Sequence, residues 1–378
     1  MGVCQTIPAG GSVQCIHSRN VSLSRPVSQA LRTALCYVGV ALRRPALLCG
    51  LSKDAVTAGL ATCMLAMGTT LTVEDFAAVG RRPGLVALGA ALQYTIMPAL
   101  GYAISRAAGL RTPYAVGLCL VACCPGGVAS NVVTFLACAD VPLSVCMTTV
   151  STLAAAVMTP ALTGLLVGTL VPVDTVGLLV STLQVVLLPI AAGAWLNRTF
   201  PAAVRRAAPF APLVAMGCTV AVCATVLARN AAAVAAAGPR LLGAVCALHA
   251  GGFGLGYGVS RALGVPERQA RTNSIEVGMQ NSALGAVLAT LHFADPLTPI
   301  PGAISACVHS ILGSGLAGFW RFRDAAAARA GALAGSGESV GDVAAGVLGG
   351  DLGGDLASSR AQAQQWIAAW RGGRGDGV

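Results

Sequence analysis

Charge is what this chain lacks. Asp, Glu, Lys and Arg make up 10% of its 378 residues, against about a quarter in a soluble domain. The shortfall is patterned. No charged residue falls between Arg82 and Arg106, Arg111 and Asp140, Asp140 and Asp174, or Asp174 and Arg198. The same holds from Arg206 to Arg229, Arg240 to Arg261, Glu276 to Asp295, and Asp295 to Arg321. These gaps match the roughly 20 apolar residues that a helix needs to cross a bilayer at 1.5 Å per residue. Aromatics are scarce, at 4%, and strand-like alternation is missing, which argues against a transmembrane barrel. No basic stretch is interleaved with aromatics, so the net charge of +10 is read as arginines facing lipid headgroups, and nucleic acid is excluded as a partner. The 14 cysteines contain no CxxC pair. They read as small buried hydrophobes rather than zinc ligands or disulfides, Cys123–Cys124 being an adjacent doublet without ligand spacing. No nucleophile, base and orienting group cluster together, so the chain is not read as an enzyme. The glycines of Gly251–Gly258 suit close helix packing rather than a phosphate loop.

What is present is helical. Length and Ala/Leu richness predict nine spans: Ala55–Leu71, Gly84–Ile104, Tyr114–Ala137, Leu143–Leu165, Val176–Leu196, Ala211–Leu227, Leu241–Ser260, Asn273–Leu291 and Ile300–Trp320. They form a transporter domain over residues 54–321 in an all-α integral membrane protein. Residues 1–53 lack any acid and carry Arg19, Arg25, Arg32, Arg43 and Arg44 among small residues and serines. That is the composition of an organelle transit peptide, with a disordered cytosolic tail as the alternative. Within it, Ala34–Leu42 is half a span long and is either the remnant of a tenth span or part of the leader. Residues 322–378 read as a flexible tail, with Gly335–Leu356 rich in Gly, Asp and Ser. Trp366 and Trp370 lie in its last part, disordered or on a short interfacial helix. One set of alternate loops holds Arg81, Arg82, Arg198, Arg205, Arg206, Arg261, Arg268, Arg271, Arg321 and Arg323; after the first span the other holds Arg106, Arg111, Arg229 and Arg240. The positive-inside rule therefore puts the C-terminus on the cytoplasmic or stromal side.

Two spans contain what a lipid-facing helix should avoid. The first reads Cys123-Cys124-Pro125-Gly126-Gly127-Val128-Ala129-Ser130-Asn131. Proline removes a donor and glycine costs about 1 kcal/mol against alanine in a helix, so this helix should open. Freed backbone is tolerated at membrane depth only where it lines a protein-enclosed cavity. The second reads Glu276-Val277-Gly278-Met279-Gln280-Asn281-Ser282. Glu276 is the one acid expected inside a span, no span supplies a base to pair with it, and a bound cation would balance it. The alternative is a snorkelling loop residue near Arg271. Asn131 and Asn281 are 150 positions apart, the length of five spans. An odd number reverses direction, so the breaks would lie in inverted halves, as in secondary transporters with a midplane site.

At these residues the chain resembles the bile acid:sodium symporter family, and especially its plant and algal plastid branch. The matching stretches are Met67–Phe76 (MGTTLTVEDF), Leu92–Pro98 (LQYTIMP), Cys123–Leu153, Glu276–Ala289 (EVGMQNSALGAVLA) and Pro301–Arg321. The resemblance implies a bundle of inverted repeats with two broken, crossing helices, and two sodium sites sharing one carboxylate. The first would use Ser130, Asn131, Ser144, Thr148 and Glu276. The second would use Gln93, Glu276 and Gln280 with the carbonyls of Val277 and Met279. The substrate's carboxylate would meet the amides that follow the breaks, at Val128, Ala129 and Asn281, with His309 nearby. Val128 and Ser310 stand where family members often have Thr and Asn. The implied function is sodium-coupled symport of a small 2-oxo or hydroxy carboxylate such as pyruvate, across the plastid inner envelope. Two alternatives stay open: a thiol-assisted metalloid permease of the arsenite-exporter type using Cys123 or Cys124, and a non-transporting membrane scaffold or decayed paralogue.

Overall fold

The computed structural model describes residues 51–72, 77, 79–207 and 210–336; the proposed leader, the half-length run Ala34–Leu42 and the tail with Trp366 and Trp370 lie outside the described residues. The chain divides into two compact units, Leu23–Phe322 and a second made of Met1–Ser22 with Arg323–Val378. Of the second, the described residues 323–336 are helical. Everything that follows concerns the first.

The chain is an all-α integral membrane protein. Helices α1 (Lys53–Thr70), α2 (Pro83–Ala107), α3 (Thr112–Ala122), α4 (Ala129–Leu136) and α5 (Val141–Val167) come first. They are followed by α6 (Thr175–Thr199, with a π-helical turn at Leu183–Leu187), α7 (Pro201–Ala207) and α8 (Ala211–Arg229). Last come α9 (Ala231–Ala262), α10 (Glu267–Gly278), α11 (Ser282–His292) and α12 (Ile300–Ser336). Among the described residues five helices are long and apolar enough to cross a membrane: α2, α5, α6, α9 and the Ile300–Ala328 part of α12.

Sequence chemistry sets the boundaries. Ser52 accepts from Ala55 N–H to cap α1, Asp140 accepts from Leu143 N–H to cap α5, and Asp174 accepts from Gly177 N–H to cap α6. Each oxygen satisfies one of the N–H groups that a helix start leaves unpaired. Proline opens α2, where its missing N–H costs nothing. Helix α9 starts ten residues before the predicted span, and Gly238 bends it with φ 66°, a left-handed value open to glycine.

The helices form two groups. Helices α6 and α8 both pack on α1, around Leu60, Met64, Val186 and Val222. Helices α1 and α6 approach closely through glycine. A Cβ on Gly68 would lie 2.8 Å from Ile190 Cα, and one on Gly193 would lie 2.7 Å from Thr69 N. Small residues let membrane helices make backbone contact, which replaces the hydrophobic drive that lipid cannot supply. The second group centres on α2, α3, α5 and α9–α12, with Leu118, Leu248 and Val277 in its core. Helix α11 joins the two groups by packing on α1 and α8.

Candidate functional site

Both breaks fall where the sequence places them. Cys123–Val128 separates α3 from α4, and Met279–Asn281 separates α10 from α11. The backbone freed at one break satisfies the backbone freed at the other. Gly127 N–H donates to Met279 O at 2.9 Å and Asn281 N–H donates to Pro125 O at 2.8 Å, so Gly126 and Gln280 face each other as one antiparallel bridge. A Cβ on Gly127 would stand 2.7 Å from Gln280 O, so only glycine permits this approach. The C-terminal ends of α3 and α10 and the N-terminal ends of α4 and α11 therefore converge, carbonyls from the first pair and partial positive charge from the second.

Glu276, in the last turn of α10, is 2% exposed. The snorkelling alternative is thereby corrected: Arg271 pairs with Glu267 at 3.0 Å, one turn away, while Glu276 points inward. Its Oε1 accepts from Ser130 Oγ at 2.6 Å and from Ser144 Oγ; its Oε2 accepts from Thr148 Oγ1 at 2.8 Å. Ser144 and Thr148 reach it together because residues four apart share a helix face. Ser144 Oγ also lies 2.8 Å from Asn131 Oδ1 and 3.2 Å from Thr134 Oγ1, and Thr148 Oγ1 lies 3.4 Å from Asn131 Oδ1. A hydroxyl carries a single proton. When Ser144 gives its proton to Glu276, no proton is left between its oxygen and that of Asn131. The pocket thus holds more oxygens than protons to bridge them, around a carboxylate without a basic partner: among the described residues Arg82 pairs with Asp140, and Arg261 and Arg271 pair with Glu267. Such a donor set suits a hard cation.

A second oxygen set adjoins it. Gln93, buried on α2, donates through Nε2 to Cys124 O at 3.0 Å and to Gln280 Oε1 at 2.8 Å. Its own Oε1 is buried with no partner, an arrangement that costs about 1–3 kcal/mol unless something fills it. Gln280 Nε2 donates to Val277 O at 2.9 Å, and Met279 O takes the Gly127 N–H. Each carbonyl has two lone pairs and one donor, so each keeps an acceptor position. Gly126 leaves room between the two sets, since a Cβ there would come 3.1 Å from Glu276 Oε2. All nine residues expected to hold sodium therefore converge on the crossing.

The residues expected to meet substrate are less uniform. Val128 and Ala129 are half-buried at the start of α4, which no side chain caps. Asn281 uses Oδ1 to cap α11 through Leu284 N–H, and its Nδ2 lies 4.0 Å from Met64 Sδ. His309 on α12 is buried with Nδ1 3.4 Å from Ser282 Oγ. On the α3/α11 side, Leu60 and Met64 of α1 close over Leu120, Cys124 and Leu284. On the α4 side Asn131 is half-buried and Val132 and Phe135 are exposed.

Sequence reasoning missed His249. It is fully buried on α9, bonded to Gly278 O and Ser305 Oγ, and stacked edge-on against His309 with ring centroids 5.3 Å apart. A lone histidine in an apolar stretch carries no local signal of such a role. Cys123 and Cys124 are also fully buried, and Cys124 Sγ turns back to its own helix at Leu120 O. Among the described residues no three His, Cys, Asp or Glu side chains group as metal ligands.

Residues 57–237 match the model of the Sodium Bile acid symporter family. The chain is 48% identical over 282 residues to a rice protein named "Probable sodium/metabolite cotransporter BASS1, chloroplastic", covering 75% of this chain and 70% of that one. An Arabidopsis thaliana protein of the same name is 46% identical over 302 residues, covering 78% and 75%. The Bacillus subtilis "Uncharacterized sodium-dependent transporter YocS" is 42% identical over 266 residues, covering 70% and 82%. On these matches the chain belongs to the sodium bile acid symporter family, and is a membrane transporter rather than an enzyme.

Proposed function

We propose that the chain carries a small organic anion, a 2-oxo or hydroxy carboxylate such as pyruvate, together with two sodium ions across the plastid inner envelope. It does so through nine spans in residues 54–321, behind a transit peptide in residues 1–53. One observation carries the reading: a buried carboxylate, Glu276, sits among hydroxyl and amide oxygens with too few protons to join them. An ionised carboxylate at membrane depth costs about 3 kcal/mol on insertion scales, and a sodium ion offsets that cost by direct contact. The first ion is held by Ser130, Asn131, Ser144, Thr148 and Glu276. The second is held by Gln93, Glu276 and Gln280 with the carbonyls of Val277 and Met279. The names of the rice and Arabidopsis relatives support both the sodium coupling and the plastid location.

The chemistry follows from charge. With Glu276 neutralised, the N-terminal ends of α4 and α11 offer partial positive charge to an anion. The substrate's carboxylate binds between Val128, Ala129 and Asn281, with His309 beside it. The ions thus precede the anion, because without them it would enter beside an uncompensated carboxylate. Access is from the α4 side, where Asn131 is half-buried, while Met64 and its neighbours seal the other. The distribution of loop arginines supports an orientation with that face toward the stroma.

The test is uptake into proteoliposomes holding the full chain. An inward sodium gradient should drive accumulation of one or more labelled carboxylates from a panel of 2-oxo and 2-hydroxy acids. Glu276→Ala should abolish it. Equal uptake by the variant in sodium-free choline medium would remove the ion assignment, and no sodium-driven uptake of any carboxylate by the unaltered chain would remove the function.

A further inference from the structure

His249 lies outside both oxygen sets, and its contacts have a fixed direction. Gly278 O can only accept, so the Nδ1 that stands 2.8 Å from it carries the proton. Nε2 of the neutral ring is then an acceptor, and Ser305 Oγ, 2.7 Å away, must donate to it. With that proton used, Ser305 accepts from Ser282 Oγ at 2.7 Å, and Ser282 in turn accepts from His309 Nδ1 at 3.4 Å. One carbonyl thus sets the polarity of a chain running from His309 through Ser282, Ser305 and His249 to the end of α10.

The place where that chain ends matters. Gly278 is the middle of three successive carbonyls at the break: Val277 O is held by Gln280 and Met279 O by Gly127. Gly278 packs against the Phe253 ring, where a Cβ would clash with Cδ1. Its C=O shares a peptide plane with the Met279 N–H, which donates to Ile275 O at 3.0 Å, so His249 and Ile275 hold that plane from its two sides. Helix α9 is shaped to deliver this contact. One turn on from His249, a Cβ on Gly252 would lie 3.2 Å from Gly278 Cα, and one on Gly256 would lie 3.1 Å from Val277 Cβ. Ser260, further along the same face, accepts from Asn273 Nδ2 at 2.9 Å.

We propose that His249 is a positioning residue for the second sodium site: its Nδ1–H holds the Gly278 carbonyl, and with it the peptide that joins the residues carrying the Val277 and Met279 oxygens. The inference rests on the ion assignment above. It adds that sodium affinity depends on a side chain which never touches the ion.

The experiment uses the purified full chain in detergent, with sodium alone as the probe. The rise in unfolding temperature with sodium chloride, against choline chloride at equal ionic strength, gives an apparent sodium affinity. His249→Leu, which leaves the carbonyl without a donor, should weaken that affinity about tenfold, the effect of roughly one net hydrogen bond. His249→Asn, whose amide can donate to Gly278 O but cannot reach Ser305, should recover most of the loss. Ser305→Ala, which spares the Gly278 bond, should change affinity less than threefold. A His249→Leu variant with unaltered sodium affinity would overturn the proposal, as would a His249→Asn variant no better than His249→Leu. If His249→Leu does not fold, the comparison of His249→Asn with Ser305→Ala still decides, because a loss in the first equal to tenfold would overturn it. A protein whose unfolding temperature ignores sodium before any substitution would instead overturn the ion assignment, and this inference with it.

Discussion

Replacing Glu276 by Gln should make the protein more stable without sodium and indifferent to sodium when it is added. The substitution keeps the shape and removes the charge. In sodium-free medium the ionised carboxylate has three hydroxyl donors, from Ser130, Ser144 and Thr148, and no basic partner. A buried ion carries a desolvation penalty of several kcal/mol, which a neutral group of equal volume largely avoids. Gln introduces an NH2 that meets hydroxyl oxygens able to accept, which preserves most of the bonding. At about 2–4 °C per kcal/mol for a chain of this size class, the unfolding temperature in choline should rise by several degrees. Sodium reverses the order. A unit charge about 2.4 Å from a carboxylate oxygen gains about 7 kcal/mol at an effective dielectric constant near 20. Gln retains a carbonyl dipole, so a loss of at least about 4 kcal/mol, or about a thousandfold in affinity, is expected. The assay is thermal unfolding of both proteins across a sodium series at constant ionic strength, and the two curves should cross. A Gln variant that unfolds earlier in choline, or that still gains stability with sodium as the parent does, would refute the reasoning.

Two further substitutions test the second oxygen set and the crossing. Gln93→Leu removes the orphaned Oε1 and the donor to Gln280; the Hill coefficient for sodium in uptake should fall from about two toward one, the arithmetic of losing one of two coupled sites. Gly127→Ala places a Cβ 2.7 Å from Gln280 O and must push the two breaks apart. Uptake should drop at least tenfold, the cost of about 1.4 kcal/mol of misplacement, while circular dichroism shows helix content unchanged.

The breaks were legible because Pro125, Gly126 and Gly127 cannot continue a helix whatever surrounds them, and because Glu276, Gln280 and Asn281 are out of place in an apolar run. Such signals are local. Which atoms of one break bond to which of the other was not legible: the pairing of Gly127 with Met279 and of Asn281 with Pro125 joins segments some 150 positions apart and depends on how α3 and α10 are aimed. His249 stayed hidden for the same reason, since its partners at Gly278 and Ser305 lie 29 and 56 positions away. Hydropathy also could not reveal the π-helical turn at Leu183–Leu187 or the bend at Gly238. Both are departures of backbone geometry that leave the local residue pattern helical.

The bridge between Gly126 and Gln280 is made of main-chain atoms. Beyond the glycine that its close approach requires at Gly127, the joint between the two breaks uses peptide groups common to nearly every residue type. In the carrier proposed above, positions such as Val128 and Ala129 are exchangeable for a different cargo while the joint stays assembled. Selectivity is in that reading mounted on a fixture that need not be rebuilt when the cargo changes.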